Sequence, residues 1–338
     1  MELRNLTPFP HLLFESVDED RDEFGVAVLS GSFDIGSASQ LLVSEVQEEI
    51  TIAEEYFGEP NESSIKRASS LAPMKLSSDI HINASAHSPS GKPEKRWNVK
   101  IEVGAWQKEI HVTGPRTYDK TAKGWELSEP IEVMEVPLDY EKAYGGLYQE
   151  KGKLNSHPQN FIGVGHYDTS EEKETWIAPQ IVSVDDPNPK FGEKTKVEGV
   201  GAIAPTWQPR VKHAGTYDDD WLENVWPYLP ADFEYEFWNS AHPDLVMPEY
   251  LKGDEAIKLH HLSSDQLMSF ALPGYHIYLL CRMKDGSIIK NSLNLDTVHI
   301  DAPTKKVFLT WRGAHPPAAP IRVLELRIQS PEDQETQT

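Results

Sequence analysis

Residues 97–112 read WNVKIEVGAWQKEIHV. Trp97, Val99, Ile101 and Val103 alternate with Asn98, Lys100 and Glu102, a period of two that puts one parity on an apolar face and the other in water, as in a β-strand. Gly104 supplies a turn, and Trp106, Lys108, Ile110 and Val112 begin a return strand. An antiparallel meander is predicted here, and with it a mainly β protein.

Strand signals continue on both sides. Ile80, Ile82 and Ala84 alternate with His81 and Asn83, which predicts a half-buried strand, and residues 24–35 (FGVAVLSGSFDI) read as another. In LLVSEVQEEITIAEEYF the apolar positions Val43, Val46, Ile50 and Ile52 give no stripe at helical spacing, so a strand, a turn and a strand are expected. A short strand is expected over 131–136. The runs 275–284 and 287–293 flank Asp285-Gly286, which predicts a hairpin with a type I′ turn whose central residues both have positive φ. Residues 297–301, 306–311 and 321–328 supply three further strands.

With 25 prolines and 21 glycines in 338 residues, elements should be short. The expected architecture is two packed antiparallel β-sandwich or barrel-like lobes, 1–150 and 151–329, with long ordered loops and few short helices, one of them near residues 218–225. A single continuous unit over 1–329 is the alternative, and residues 330–338 form a polar tail. Residues 151–198 are rich in loops, which suggests surface more than core.

The formal net charge of −22 argues against nucleic acid as a partner, because the mean field repels phosphate. Charge is uneven: residues 1–62 hold fifteen acids against Arg4 and Arg21, whereas residues 63–123 hold eleven Lys and Arg against five acids. The two segments either pair in the fold or leave a basic face for an acidic partner. The single Cys281, within IYLLC, excludes a disulfide framework and reads as a buried thiol. The start, MELRNLTPFPHLLF, lacks a basic stretch followed by a long apolar one, and no run approaches a membrane span. A cytoplasmic protein is expected.

The loop Gly199–Asp232 concentrates Trp207, Trp221, Trp226, Tyr217, Tyr228 and Arg210 between Pro205, Pro209, Pro227 and Pro230. Prolines fix φ and remove donors, so this is an ordered loop rather than helix or central strand. Two readings compete. In one the rings cap a core and Arg210 is tied to Asp232 or Asp218; in the other Trp207, Arg210 and Trp221 belong to a protein-binding surface, where Trp, Tyr and Arg are enriched.

Chemical motifs are sparse. Gly163-x-Gly165 and Gly199-x-Gly201 resemble phosphate loops, but Asp168 and an acidic run follow the first and prolines follow the second, so no helix start can receive a phosphate. His260 and His261 point to opposite faces of a strand, whereas His299 and Asp301 share one. There is no HExxH and no G-x-S-x-G. No catalytic residue, metal or cofactor is expected, and Asp218-Asp219-Asp220 reads as a solvated turn capping a short helix at Trp221.

An ordered series of blocks then carries a resemblance: NLTPFP; LAPMK ending at Lys75; DIHINASAHSPSGKP; IEVGAWQKEIHVTGPR; VPLDYEKAYGG; GVGAIAPTWQPR; AGTYDDDW; LPADFEYEFWNSAHPDL; LKGDEAIKLHHL; ALPG; LDTVHID; and WRG. Together they resemble the bacterial domain-of-unknown-function family numbered two-one-six-nine, whose members accompany type VI secretion systems. Departures are Leu245, where the family usually has Gln after the residue matching Asp244, and Gly114-Pro115-Arg116 in place of GDR. The resemblance implies a cytoplasmic adaptor or chaperone, with no catalysis, that loads a toxic effector, often PAAR-linked, onto the secretion spike. The expected partner surface is Trp207, Arg210, Trp221, Asp232 and Trp238. Two alternatives come from other classes: a carbohydrate-binding β-sandwich with Trp faces along a polar groove, and a hydrolase using Asp218–Asp220 or His299 with Asp301.

Overall fold

The computed structural model describes residues 1–167 and 172–331, so Asp168 and residues 332–338 of the expected tail lie outside the described residues. The alternating stretch forms antiparallel strands Arg96–Val103 and Trp106–Thr113, with Val103 opposite Trp106 and Trp97 opposite Val112. They lie inside a five-stranded antiparallel sheet, between the two-residue strand Ile181–Val182 and the pair Ala256–His260 and Leu267–Ala271. Trp97, Val99, Ile101 and Val103 are buried, as their parity requires.

The largest sheet is built on Glu23–Ile35, which pairs with His11–Val17 on one side and Lys306–His315 on the other. Asn294–Asp301 and Asp79–Asn83 follow, the last two parallel with His81 opposite His299, and Leu41–Val43 extends the sheet. Nine consecutive residues of Glu23–Ile35 are buried, as befits a strand covered on both faces. The third sheet pairs Glu2–Asn5 parallel to Ile321–Gln329, then His276–Met283 and Ile288–Ser292.

The protein is mainly β, with only short helical turns among the described residues. Each large sheet contains strands from both sides of residue 150, and one hydrophobic cluster joins them.

Three local expectations differ from the structure. Asp79–Asn83 is buried on both faces, not one, because Lys75, Asn239 and Ser240 cover the face that carries Asp79 and His81, while the Val200 carbonyl closes the strand's edge. Of 131–136 only Glu135 and Val136 lie in a strand, Glu135–Pro137, and Ile131 is exposed. The hairpin at 285–286 has positive φ only at Gly286 (92°). Its Gly286 N–H donates to the Met283 carbonyl and Met283 N–H to the Ser287 carbonyl, so three residues make the turn and glycine takes its last position.

The segment between the meander and the C-terminal strands is irregular yet pinned. Asn160 Nδ2 donates to the carbonyls of Tyr140 (2.8 Å) and Tyr144 (3.1 Å). Gly199 packs where any Cβ would stand 2.4 Å from the Tyr140 ring, so this glycine serves close packing, not phosphate binding. Cys281 is buried, and burial pushes its thiol up to about 11.

Candidate functional site

The proline-rich loop divides into a buried and an exposed half. Trp207 is 3% exposed and meets Tyr140 edge-on at 5.4 Å. Arg210 is also buried, but neither Asp218 nor Asp232 holds it: its Nε donates to the Phe237 carbonyl (3.0 Å) and Nη1 to the Ile203 carbonyl (2.8 Å). Burial lowers its guanidinium pKa, with Asp79 opposing. Both residues belong to the packing that fixes the loop, not to its outer face.

The other three expected residues are half-buried or exposed. Trp221 donates its indole N–H to the Tyr228 carbonyl (2.9 Å) and meets Tyr217 at 4.6 Å. Trp238 is half-buried against Phe233 and Phe237. Asp232 is exposed and accepts from Thr216 N–H (2.9 Å) and Oγ1 (2.7 Å), closing the loop on itself. A helical turn spans Trp221–Val225, and Asp218 Oδ1 caps it by accepting from Trp221 N–H (2.9 Å).

Three residues outside the expected set are the most exposed large apolar side chains of this loop. Trp226 is 64% exposed, Leu222 60% and Tyr217 52%, while the other eight tryptophans are buried or half-buried. Their signal lies in the sequence: Leu222 lies on, and Trp226 directly follows, a short helical turn beside Asp218–Asp220.

Beneath the loop, the blocks that carried the resemblance meet in two buried polar clusters. In the first, Asp79 Oδ2 accepts from Lys75 Nζ (2.8 Å) and Ser240 N–H (2.8 Å), and its Oδ1 accepts from Asn239 Nδ2 (3.0 Å). Burial would raise the Asp79 carboxyl, but Lys75, His81 and these hydrogen bonds outweigh it and lower its pKa. Ser240 Oγ lies 3.2 Å from His81 Nε2 and 3.3 Å from Asp79 Oδ2, with Asp79 itself 3.9 Å from that same Nε2. A nucleophilic triad needs the acid on the far ring nitrogen, so this grouping does not have triad geometry.

The second cluster centres on Lys108, which shares the core parity of Ile110 and Val112. Its ammonium lies 3.0 Å from both Glu198 and Asp244 and 3.0 Å from His242 Nδ1. Lys196 adds a second ammonium at 3.0 Å from Glu198 and 2.6 Å from Asp244. Although Glu198, His242 and Asp244 are spaced like cation ligands, these ammonium groups already neutralise their charge. A 150 Å³ cavity lined by Lys196, His242, Asp244 and Pro209 opens beside them.

The expected His299 and Asp301 do not converge. His299 is buried against Asn83 (3.3 Å), while Asp301 accepts from Thr304 in its own turn (2.6 Å). Asp218, Asp219 and Asp220 are exposed. Trp311 lines a cavity of 640 Å³, where it is stacked on Phe9 at 5.6 Å and is 2% exposed.

Burial holds His81 at about 4 and His242 at about 3, and drives His299 well below its usual value. These rings are neutral in the fold, whereas the unfolded chain protonates them below about pH 6.5. Stability is therefore full above that pH and falls on acidification until the folded rings titrate, by about 1.4 kcal/mol per pH unit for each ring. Urea midpoints should drop steadily from pH 6.5 to pH 4.5; a flat profile would contradict the burial of neutral rings.

Residues 20–312 match the family described as an uncharacterized protein conserved in bacteria (DUF2169). The chain belongs to this family. No curated protein and no solved structure matches it. Among the described residues, no helix is long and apolar enough to cross a membrane.

Proposed function

We propose that this DUF2169 chain is a type VI secretion accessory protein, an adaptor or chaperone that holds a toxic effector or its PAAR-linked segment in the cytoplasm and helps load it onto the spike. The observation that carries the reading is the exposure of Tyr217, Leu222 and Trp226 on a loop anchored by Trp207 and Arg210. A rigid base keeps the ordering cost of binding low, and exposed Trp and Tyr are the side chains that anchor interfaces. The sequence resemblance supplies the secretion context, and family membership is compatible with it.

Co-expression with the toxin or PAAR-type protein encoded beside it tests the reading. Leu222→Ser with Trp226→Ser should abolish co-purification and leave the thermal midpoint within a few degrees of the parent, as surface changes do. Ile52 and Phe57 are also exposed, at 61% and 54%, but lie on a separate segment; their replacement by serine should leave capture intact. Capture that survives the first pair and fails with the second would move the proposed surface.

A further inference from the structure

The chain around these three exposed apolar residues is strongly acidic. Residues 214–236 hold seven carboxylates, and no Lys or Arg occurs from 214 to 251. Among the described residues, no Lys or Arg forms an ion pair with Asp218, Asp219, Asp220 or Glu223; Asp218 and Asp220 instead accept from Trp221 N–H and Asn224 Nδ2. A second acidic element reaches the same loop. The turn joining strands His11–Val17 and Glu23–Ile35 carries Asp18, Glu19, Asp20 and Asp22, and its Arg21 guanidinium stacks on the Tyr228 ring at 4.8 Å.

We propose that the partner segment docking here is a cationic amphipathic stretch of polypeptide, with apolar side chains on Tyr217, Leu222 and Trp226 and Lys or Arg over the carboxylate border. This rests on the adaptor reading and names the chemistry of what that adaptor holds. Carboxylates around an apolar centre reward a partner with the inverse pattern and penalise an acidic one, because like charges brought together in a partly desolvated interface repel. Anionic lipid and nucleic acid are disfavoured by the same field.

The border can be neutralised without disturbing the helical turn. Asp218→Asn, Asp219→Asn, Asp220→Asn and Glu223→Gln keep side-chain oxygens that accept, including the cap on Trp221 N–H. Binding of a short leucine–lysine amphipathic peptide and of its leucine–glutamate counterpart is measured by fluorescence anisotropy on the full chain. The lysine peptide should bind, weaken several-fold from low to physiological salt, and bind about tenfold more weakly to the neutralised variant. The glutamate peptide should bind the wild type at least about tenfold more weakly than the lysine peptide. Equal binding of the two peptides, no binding of either, or an unchanged affinity for the neutralised variant overturns the inference. Effector capture separates the two levels. If Leu222→Ser with Trp226→Ser removes capture while the neutralised variant keeps it, the adaptor reading stands and the charge rule falls; if neither change affects capture, the docking surface falls too.

Discussion

Asp79→Ala is expected to destabilise the protein by about 3–5 kcal/mol, because it removes one member of a buried ion pair and strands the other. Lys75 Nζ would keep only Thr297 Oγ1 (2.8 Å) of its two named partners, inside a site where Lys75 is 3% exposed. Ser240 N–H would lose its acceptor at the same time, and Asn239 Nδ2 would keep only the Ser77 carbonyl (3.1 Å). The loss is thus a desolvated charge plus unsatisfied donors, and equilibrium urea unfolding measures it. Removing the charge as well, with Lys75→Met beside Asp79→Ala, should recover part of the loss, since an apolar replacement of both partners leaves no ion unpaired. A loss under about 1 kcal/mol for the single change would mean the pair is hydrated and the cluster does not lock Asp79–Asn83 to the loop.

That cluster marks where sequence reading stopped. Period-two alternation sufficed for the meander, because one-sided burial writes itself into neighbouring residues, and the Asp285-Gly286 turn signal placed His276–Met283 beside Ile288–Ser292. The same rule misassigned His81 and Asn83 to a wet face. Their partners, among them Ser240 and His299, lie about 160 and 216 residues away, and polarity alone does not reveal whether a side chain meets water or a distant hydrogen-bond partner. Lys108 carried a clue in its phase with Ile110 and Val112, yet nothing local names Glu198 or Asp244. The hairpin turn was legible as a turn, while its type depended on how many residues the strands left unpaired.

The proline-rich loop poses the same difficulty within one segment, and the second large effect resolves it. Composition alone made Trp207 and Arg210 equal candidates with Trp221 for a binding surface, but burial separates them. Trp207→Ala should cost about 3–5 kcal/mol, the usual range for emptying a buried aromatic site. The cavity would open beside Tyr140 and Phe161. Arg210→Ala adds the loss of donors to the buried carbonyls of Ile203 and Phe237. Against a total stability of about 5–15 kcal/mol for a typical domain, the double variant should melt far below the parent or fail to accumulate in soluble form. Leu222→Ser with Trp226→Ser, only a few residues along the same loop, should melt close to the parent while losing partner capture. Differential scanning calorimetry on both pairs therefore decides which half is scaffold and which is contact surface. A Trp207→Ala, Arg210→Ala variant that melts like the parent would return those two residues to the surface and remove the rigid base on which the proposed docking edge depends.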